Sequence, residues 1–217
     1  MHRIFILSPA NSGGERARLI FNPRAGFELA RRLQRGEKLP VGEIFSFLSG
    51  LYFRGKYTYS RTFARAPGRV KGAYVITSNR GLIPVEEPLS LDDLQDFSTV
   101  PIEHDEPRYF KPLKIEARAL ARKAGSECEV VLLGSISTKK YAEPLMEFFG
   151  ERLLFPSSFV GRGDMSRGGL LLRCVAEGRE LEYVPVSGAI RRGKRPEKLT
   201  PRAWGYKISE GKTPVPK

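Results

Sequence analysis

Apolar residues fall in short runs along the chain, and the runs keep two different periods. Four of them, at residues 3–8, 72–77, 129–134 and 181–186, are nearly continuous and read as buried strands. A shorter run at 152–155 predicts an edge strand. Between these runs the apolar positions recur at helical spacing, which predicts helices over 27–35, 42–49, 54–64, 91–97, 112–123, 138–149 and 165–175. Ser90 stands at the N-cap of one of them, with Asp92 and Asp93 in its first turn. Pro112 opens another. Strands alternating with helices predict an α/β fold. The expectation is one compact domain over 1–186, with a mixed or mostly parallel central sheet flanked by helices, and then a basic extension over 187–217.

Composition narrows this picture in three ways. Hydrophobic residues make up 41% of the chain, enough for a full core and against a disordered body. No apolar run approaches the ~20 residues a membrane helix needs. The opening run is short and has no cleavage pattern, so it reads as the first strand of a cytoplasmic protein. Cys128 and Cys174 have no CxxC partner, and His2 and His104 show no ligand spacing with either of them. The two thiols are expected in the core as reduced cysteines, with neither metal nor cofactor. Charge is the informative quantity. The net charge is +13, and 187–217 alone holds nine Lys/Arg against two Glu. Arg191, Arg192, Lys194 and Arg195 open that extension, and Trp204 and Tyr206 lie further along it. Cations with interleaved aromatics suit a phosphate backbone and stacked bases.

The candidate chemistry sits where strands end. "SGGERARLI", starting at Ser12, resembles the signature loop of ABC-type ATPases. No G-x-x-x-x-G-K-[ST] and no apolar strand ending in Asp-Glu accompanies it, and residue 12 leaves no room upstream for a nucleotide core. What remains is a turn after the first strand, either plain or presenting Ser8, Asn11, Ser12 and backbone N–H groups to an anion. "GLYFRGKYTYSR" holds Tyr52, Arg54, Lys56, Tyr57 and Arg61, with Arg54 and Arg61 on one helical face. "TSNRGLIP" puts Asn79 and Arg80 on a loop, and "GSISTKKY" offers Ser135, Lys139 and Lys140 at a helix start. "FVGRGDMSRGGLLLR" is the densest segment: Arg162 and Arg167 bracket Asp164 and Ser166, either of which is placed to cap the following helix.

These segments, in this order, resemble the YaaA-type proteins known for protection against peroxide stress. "FILSPANSG", "GLYFRGKYTY", "VITSNRGLIPVEEPL" and "LGSISTKKY" are each similar to a segment of that family, and "GRGDMSRGGLL" resembles its Arg-Gly-x-Met-x-Arg helix start. Asn11 stands where the family usually has a lysine, and Leu89 where a tyrosine commonly follows the proline. The resemblance implies an α/β fold with a basic cleft that binds DNA and a hairpin between two helices. Residues 24–49 are the place for such a helix-hairpin-helix insert, with its turn at Leu39, Pro40, Val41 and Gly42.

Three functions are compatible with this reading. The leading one is a nucleic-acid-binding protein, DNA before RNA, tied to DNA protection or repair. In it Arg54, Lys56, Arg80, Lys139, Lys140, Arg162 and Arg167 contact phosphates, and Tyr52 and Tyr57 stack on bases. The second is a glycosylase-like enzyme acting on a nucleoside or nucleobase, with Asp164, Asn79 or Ser8 handling polar groups. The third is a partner of ribosomal or other RNA, bound through the basic extension.

Overall fold

The computed structural model describes residues 1–197 and 199. In chain order the first half holds β1 (His2–Leu7), α1 (Glu15–Phe21), α2 (Glu28–Gln34), β2 (Leu39–Pro40), α3 (Val41–Ser49), α4 (Leu51–Phe63), β3 (Ala73–Ile76), β4 (Leu82–Pro84), β5 (Pro88–Leu89) and α5 (Leu91–Ser98). The second half holds α6 (Pro107–Ala124), β6 (Cys128–Leu133), α7 (Lys139–Phe149), β7 (Leu153–Pro156), α8 (Asp164–Glu177) and β8 (Tyr183–Pro185). Six strands form one sheet in the order β4-β3-β1-β6-β7-β8. The four inner strands run parallel, and β4 and β8 pair antiparallel at the two edges. The chain is therefore an α/β domain with a mixed, mostly parallel sheet.

β1 owes its place to its apolar run. Ile4, Phe5, Ile6 and Leu7 are all fully buried, as befits a strand covered on both faces. Right-handed crossovers then set the layers. The chain leaves β1 toward β3, later returns past β1 to β6, and continues outward to β7. This puts α6 and α7, which pack on each other, against one face, and α4 with its partner α8 against the other.

Local chemistry explains most boundaries. Ser90 caps α5, as the sequence predicts, and Asp93 reaches back to complete a reciprocal capping box. α6 begins at Pro107, not at the expected Pro112. The Glu106 carboxylate accepts from the Arg108 N–H, and Tyr109 in the first turn is fully buried, so the helix starts early and runs on through Pro112. β7 is not an edge, because β8 pairs outside it. The short strands β2, β4 and β5 are too brief for any hydrophobic period to reveal. Cys128 in β6 and Cys174 in α8 are both buried free thiols.

α4 and α8 approach each other through glycine. A Cβ on Gly55 would stand 2.8 Å from the Gly168 carbonyl oxygen, and one on Gly168 would stand 2.7 Å from the Leu51 carbonyl oxygen. Both obstacles are backbone, which cannot swing aside. Gly169, the next residue, would meet only the end of the Leu199 side chain at 3.7 Å. Gly168→Ala is therefore expected to destabilise the fold by about 1–3 kcal/mol through overpacking. Gly169→Ala should be neutral or stabilising by up to about 1 kcal/mol, from helix propensity. Urea denaturation of the two variants beside the parent measures the difference.

Candidate functional site

The carboxyl ends of β3, β1, β6 and β7 lie along one edge of the sheet, and each of their following loops carries one of the segments singled out above. The connections from β1 and to β6 part on opposite sides of β1, and a crevice outside such a switch point is where open α/β sheets bind ligands. A cavity of about 500 Å³ lies there. Residues 9–13 after β1 form one wall, and Ser78 after β3, Lys140 and Tyr141 of α7, and Asp164 of α8 contribute to the others. Phe45 of α3 and Phe97 of α5 supply apolar surface. Ser49, Ser98 and residues 100–102 complete the lining.

Hydrogen bonds fix these walls. The Gly13 N–H donates to Asn11 Oδ1 at 3.0 Å, folding the turn on itself. Ser78 Oγ donates to the Phe97 carbonyl at 2.7 Å, tying the end of β3 to α5. Tyr109 Oη donates to the Lys140 carbonyl at 2.7 Å and so holds the first turn of α7. Burial pushes the Tyr141 phenol up to about 12, so at neutral pH it remains a donor. Asp164 is the first residue of α8, where a carboxylate is favoured by the helix dipole. Its side chain is 71% exposed, with the Arg167 guanidinium 3.9 Å away. Neither Asp164 nor Ser166 caps α8: the cap position is Gly163, and the Ser166 hydroxyl instead accepts from Arg162 at 3.2 Å.

Three residues expected to meet nucleic acid point inward. Lys56 is only 1% exposed, and its Nζ donates to the Ser8 carbonyl at 2.6 Å and to Ser8 Oγ at 2.8 Å. Tyr52 is 6% exposed and lies under that ammonium, 4.4 Å from ring centroid to Nζ, so it offers no face for stacking. Arg167 donates to the Phe159 carbonyl from two nitrogens, at 3.2 and 3.1 Å, and lies over the Phe159 ring. All three belong to the tight α4–α8 contact, and packing there leaves them no room to reach a phosphate. Burial raises the Tyr52 phenol, and the Arg167 guanidinium pulls it back electrostatically without a hydrogen bond of good geometry.

The other predicted residues divide between the cavity and the surface. Arg80 is held by Asp93 at 2.6 Å and lies over Phe97, and Asn79 donates to Asp96 at 2.7 Å. Ser135 shares a hydrogen bond with Ser137, and Lys139 pairs with Glu143 at 3.6 Å. Arg54 and Tyr57 line a separate depression with Glu43 and Leu172, away from the cavity residues. Arg162, Arg173 and Arg195 line a groove that also includes Met165 and Ser166. Arg191, Arg192, Lys194 and Arg195 are exposed. A Cβ on Gly161, whose φ is +73°, would strike the Lys194 carbonyl, so this basic segment crosses directly over the loop leading to Asp164. Trp204 and Tyr206 lie outside the described residues.

Residues 24–49, the place expected for a hairpin, fold as α2, β2 and α3, and the turn at 39–42 faces the protein. β2 pairs with β5, and the Val41 and Gly42 amides donate to the Glu87 and Val85 carbonyls, both at 2.9 Å. Those amides are unavailable to phosphate. The sequence carries little signal for Tyr141, Phe45, Phe97 and Ser98 as site residues: on α3 and α5 the two phenylalanines have the spacing of ordinary core positions, and Tyr141 follows two lysines at a helix start. No group of three or more His, Cys, Asp or Glu that could hold a metal gathers among the described residues. No helix among them is long and apolar enough to cross a membrane.

The Arg80–Asp93 pair makes a measurable claim. Burial pushes the Asp93 carboxyl up, but hydrogen bonds from the Ser90 N–H, Arg80 and the Ser90 hydroxyl outweigh it and hold the group at about 2, against an ordinary 3.8. The folded value is depressed, so the pair adds stability above about pH 3.8 that is lost as pH falls through about 2. Arg80→Ala should move the Asp93 titration upward and narrow that window, which carboxyl NMR titration reads directly. Set beside known proteins, the chain matches no family model, no curated protein and no solved structure, so its function rests on the geometry of this site.

Proposed function

We propose that this protein binds nucleic acid, DNA before RNA, and receives a single base or nucleoside of it in the cavity at the β1–β6 switch point. The observation that carries the reading is adjacency. An exposed run of four cations, at 191, 192, 194 and 195, crosses the loop that delivers Asp164 to the cavity wall. Phosphates on that run would leave a base within reach of the cavity mouth. Inside, Phe45 and Phe97 offer apolar contact, while Asn11, Ser12, Ser98, Lys140, Tyr141 and Asp164 offer donors and acceptors of the kind a base edge or a sugar requires. DNA protection or repair, as implied by the resemblance to YaaA-type proteins, fits such a pocket.

The same cavity favours one narrower reading, a glycosylase-like enzyme on that base. Asp164 is the carboxylate among its lining residues, and the Tyr141 phenol keeps its proton at neutral pH. In this reading Asp164 stabilises positive charge developing on the sugar and Tyr141 donates to the departing base.

Fluorescence anisotropy with labelled single- and double-stranded DNA and RNA tests the proposal. Affinity should fall steeply with salt, and replacing Arg191, Arg192, Lys194 and Arg195 together by alanine should flatten the log–log slope by about 3 for a single strand. Asn11→Ala should leave that slope unchanged but weaken discrimination among bases. Asp164→Asn should abolish release of free base if the narrower reading holds, with binding retained. No binding to any of the polymers at ~50 mM salt sinks the proposal.

A further inference from the structure

Among the described residues Lys56 is the charged side chain buried most completely, and the binding reading leaves it without a task. No carboxylate among them lies within ion-pair distance of it. Both of its hydrogen bonds go to one residue, Ser8, at the carboxyl end of β1. Beneath it are the rings of Tyr52 and Phe53, with Nζ 4.4 and 4.8 Å from their centroids. Ser8 is itself buried, and the residues that follow it, 9–13, are the cavity wall. A buried ammonium is costly, and a methionine would fill the same space. The site therefore uses something that the amine alone supplies.

We propose that Lys56 is a positioning residue that pins the end of β1, and through Ser8 the 9–13 wall of the cavity, and that gain or loss of its proton switches Ser8 between two hydrogen-bonding states. With the proton, Nζ donates to both the carbonyl and the hydroxyl of Ser8, and the hydroxyl hydrogen is free to donate elsewhere. Without it, the amine still donates to the carbonyl, but its lone pair accepts the hydroxyl hydrogen, which turns round. No covalent bond changes; one proton passes to solvent, and the Ser8 hydroxyl reverses its direction. The wall is then tuned differently for donors and acceptors on the ligand.

The surroundings place this switch in a useful range. Burial is the largest influence and lowers the Lys56 amine to about 7. Of the charged groups on α8, Asp164 opposes that shift and Arg167 adds to it. β1 brings only the carbonyl and hydroxyl of Ser8, and α4 itself brings Tyr52, whose phenol is raised by burial and stays neutral. The folded value lies below the ordinary 10.5, so the unfolded chain binds the extra proton between these limits. Stability contributed by this site must therefore rise with pH from about 7 to about 10.5 and be lowest, and level, below about 7.

The inference rests on the cavity being the ligand site, and two independent readouts separate the two claims. The first is urea stability as a function of pH for the parent and Lys56→Met. The parent should gain stability relative to the variant as pH rises above about 7. Parallel profiles for the two proteins overturn the inference, whether or not any ligand binds. The second is affinity for a labelled single-stranded DNA probe. In the parent it should change by roughly threefold or more between about pH 6 and 8. Ser8→Ala keeps the carbonyl and the buried amine but removes the hydroxyl. It should keep the pH dependence of stability and lose that of binding. A Ser8→Ala protein that binds with the parent's pH profile overturns the switch. A parent that binds no probe at any pH defeats the functional proposal and the ligand-tuning role together, and the stability profiles then decide the pinning role alone.

Discussion

Gly55 and Gly168 meet where α4 crosses α8, and the backbones there come closer than any side chain would allow. That contact orders the cavity end of the molecule. It brings α8 to α4, so Arg167 packs over Phe159 beside Tyr52, and Lys56 turns under the end of β1. It also fixes where the first turn of α8 stands, and with it Asp164 at the cavity wall. A larger residue at either glycine would push the two helices apart and separate groups that meet only because the helices touch. Small residues at a helix crossing thus set the distance between a buried amine and an exposed carboxylate.

The sheet supplies the other half of the arrangement. Parallel strands send all their carboxyl ends to one edge, and the reversal of strand order around β1 opens a crevice at that edge. Residues from far apart in the chain reach it for this reason alone. Asn11 and Ser12 come from β1, Ser78 from β3, Tyr141 from the helix after β6, and Asp164 from the helix after β7. α5 closes the side through Phe97, whose carbonyl takes the Ser78 hydroxyl bond and whose ring lies under Arg80.

How much of this could be read from the letters follows from what each feature depends on. β1, β3 and β6 were legible because buried parallel strands are continuous apolar runs, and α5 because its cap is a local chemical signal. The loops around the cavity were legible as strand ends, so its lining residues after β1, β3, β6 and β7 all fall within segments whose letters carry candidate chemistry. The direction in which a side chain points was not. Lys56 lies in "FRGKYTYSR" among tyrosines and arginines, and such a stretch spells a nucleic-acid surface as readily as the underside of a helix. One sign was available: Gly55 in mid-helix costs about 1 kcal/mol in propensity, which a close backbone approach repays. Its partner Gly168 is distant in sequence, and only the folded chain reveals the pairing. The Val41 and Gly42 amides were illegible for a related reason, since β5, which accepts them through its flank, is two residues long.

Charge then takes on a meaning that the total of +13 does not convey. Three cations behind the cavity walls are engaged: Arg80 with Asp93, Arg167 with Phe159, Lys56 with Ser8. They hold walls in place and lend little field to the outside. The exposed cations of 191–195 lie on a segment that crosses the site loop without entering the cavity. On the reading proposed above, the two sets divide the work. A field from the exposed run gathers a polyanion at a rate that falls with salt. Selection then occurs among hydroxyls, one amide, one ammonium, one phenol and one carboxylate in a cavity too small for the polymer itself. Lys140 lines that cavity, whereas Lys56 is turned onto Ser8 behind its wall and makes the wall sensitive to the hydrogen-bonding pattern of what enters.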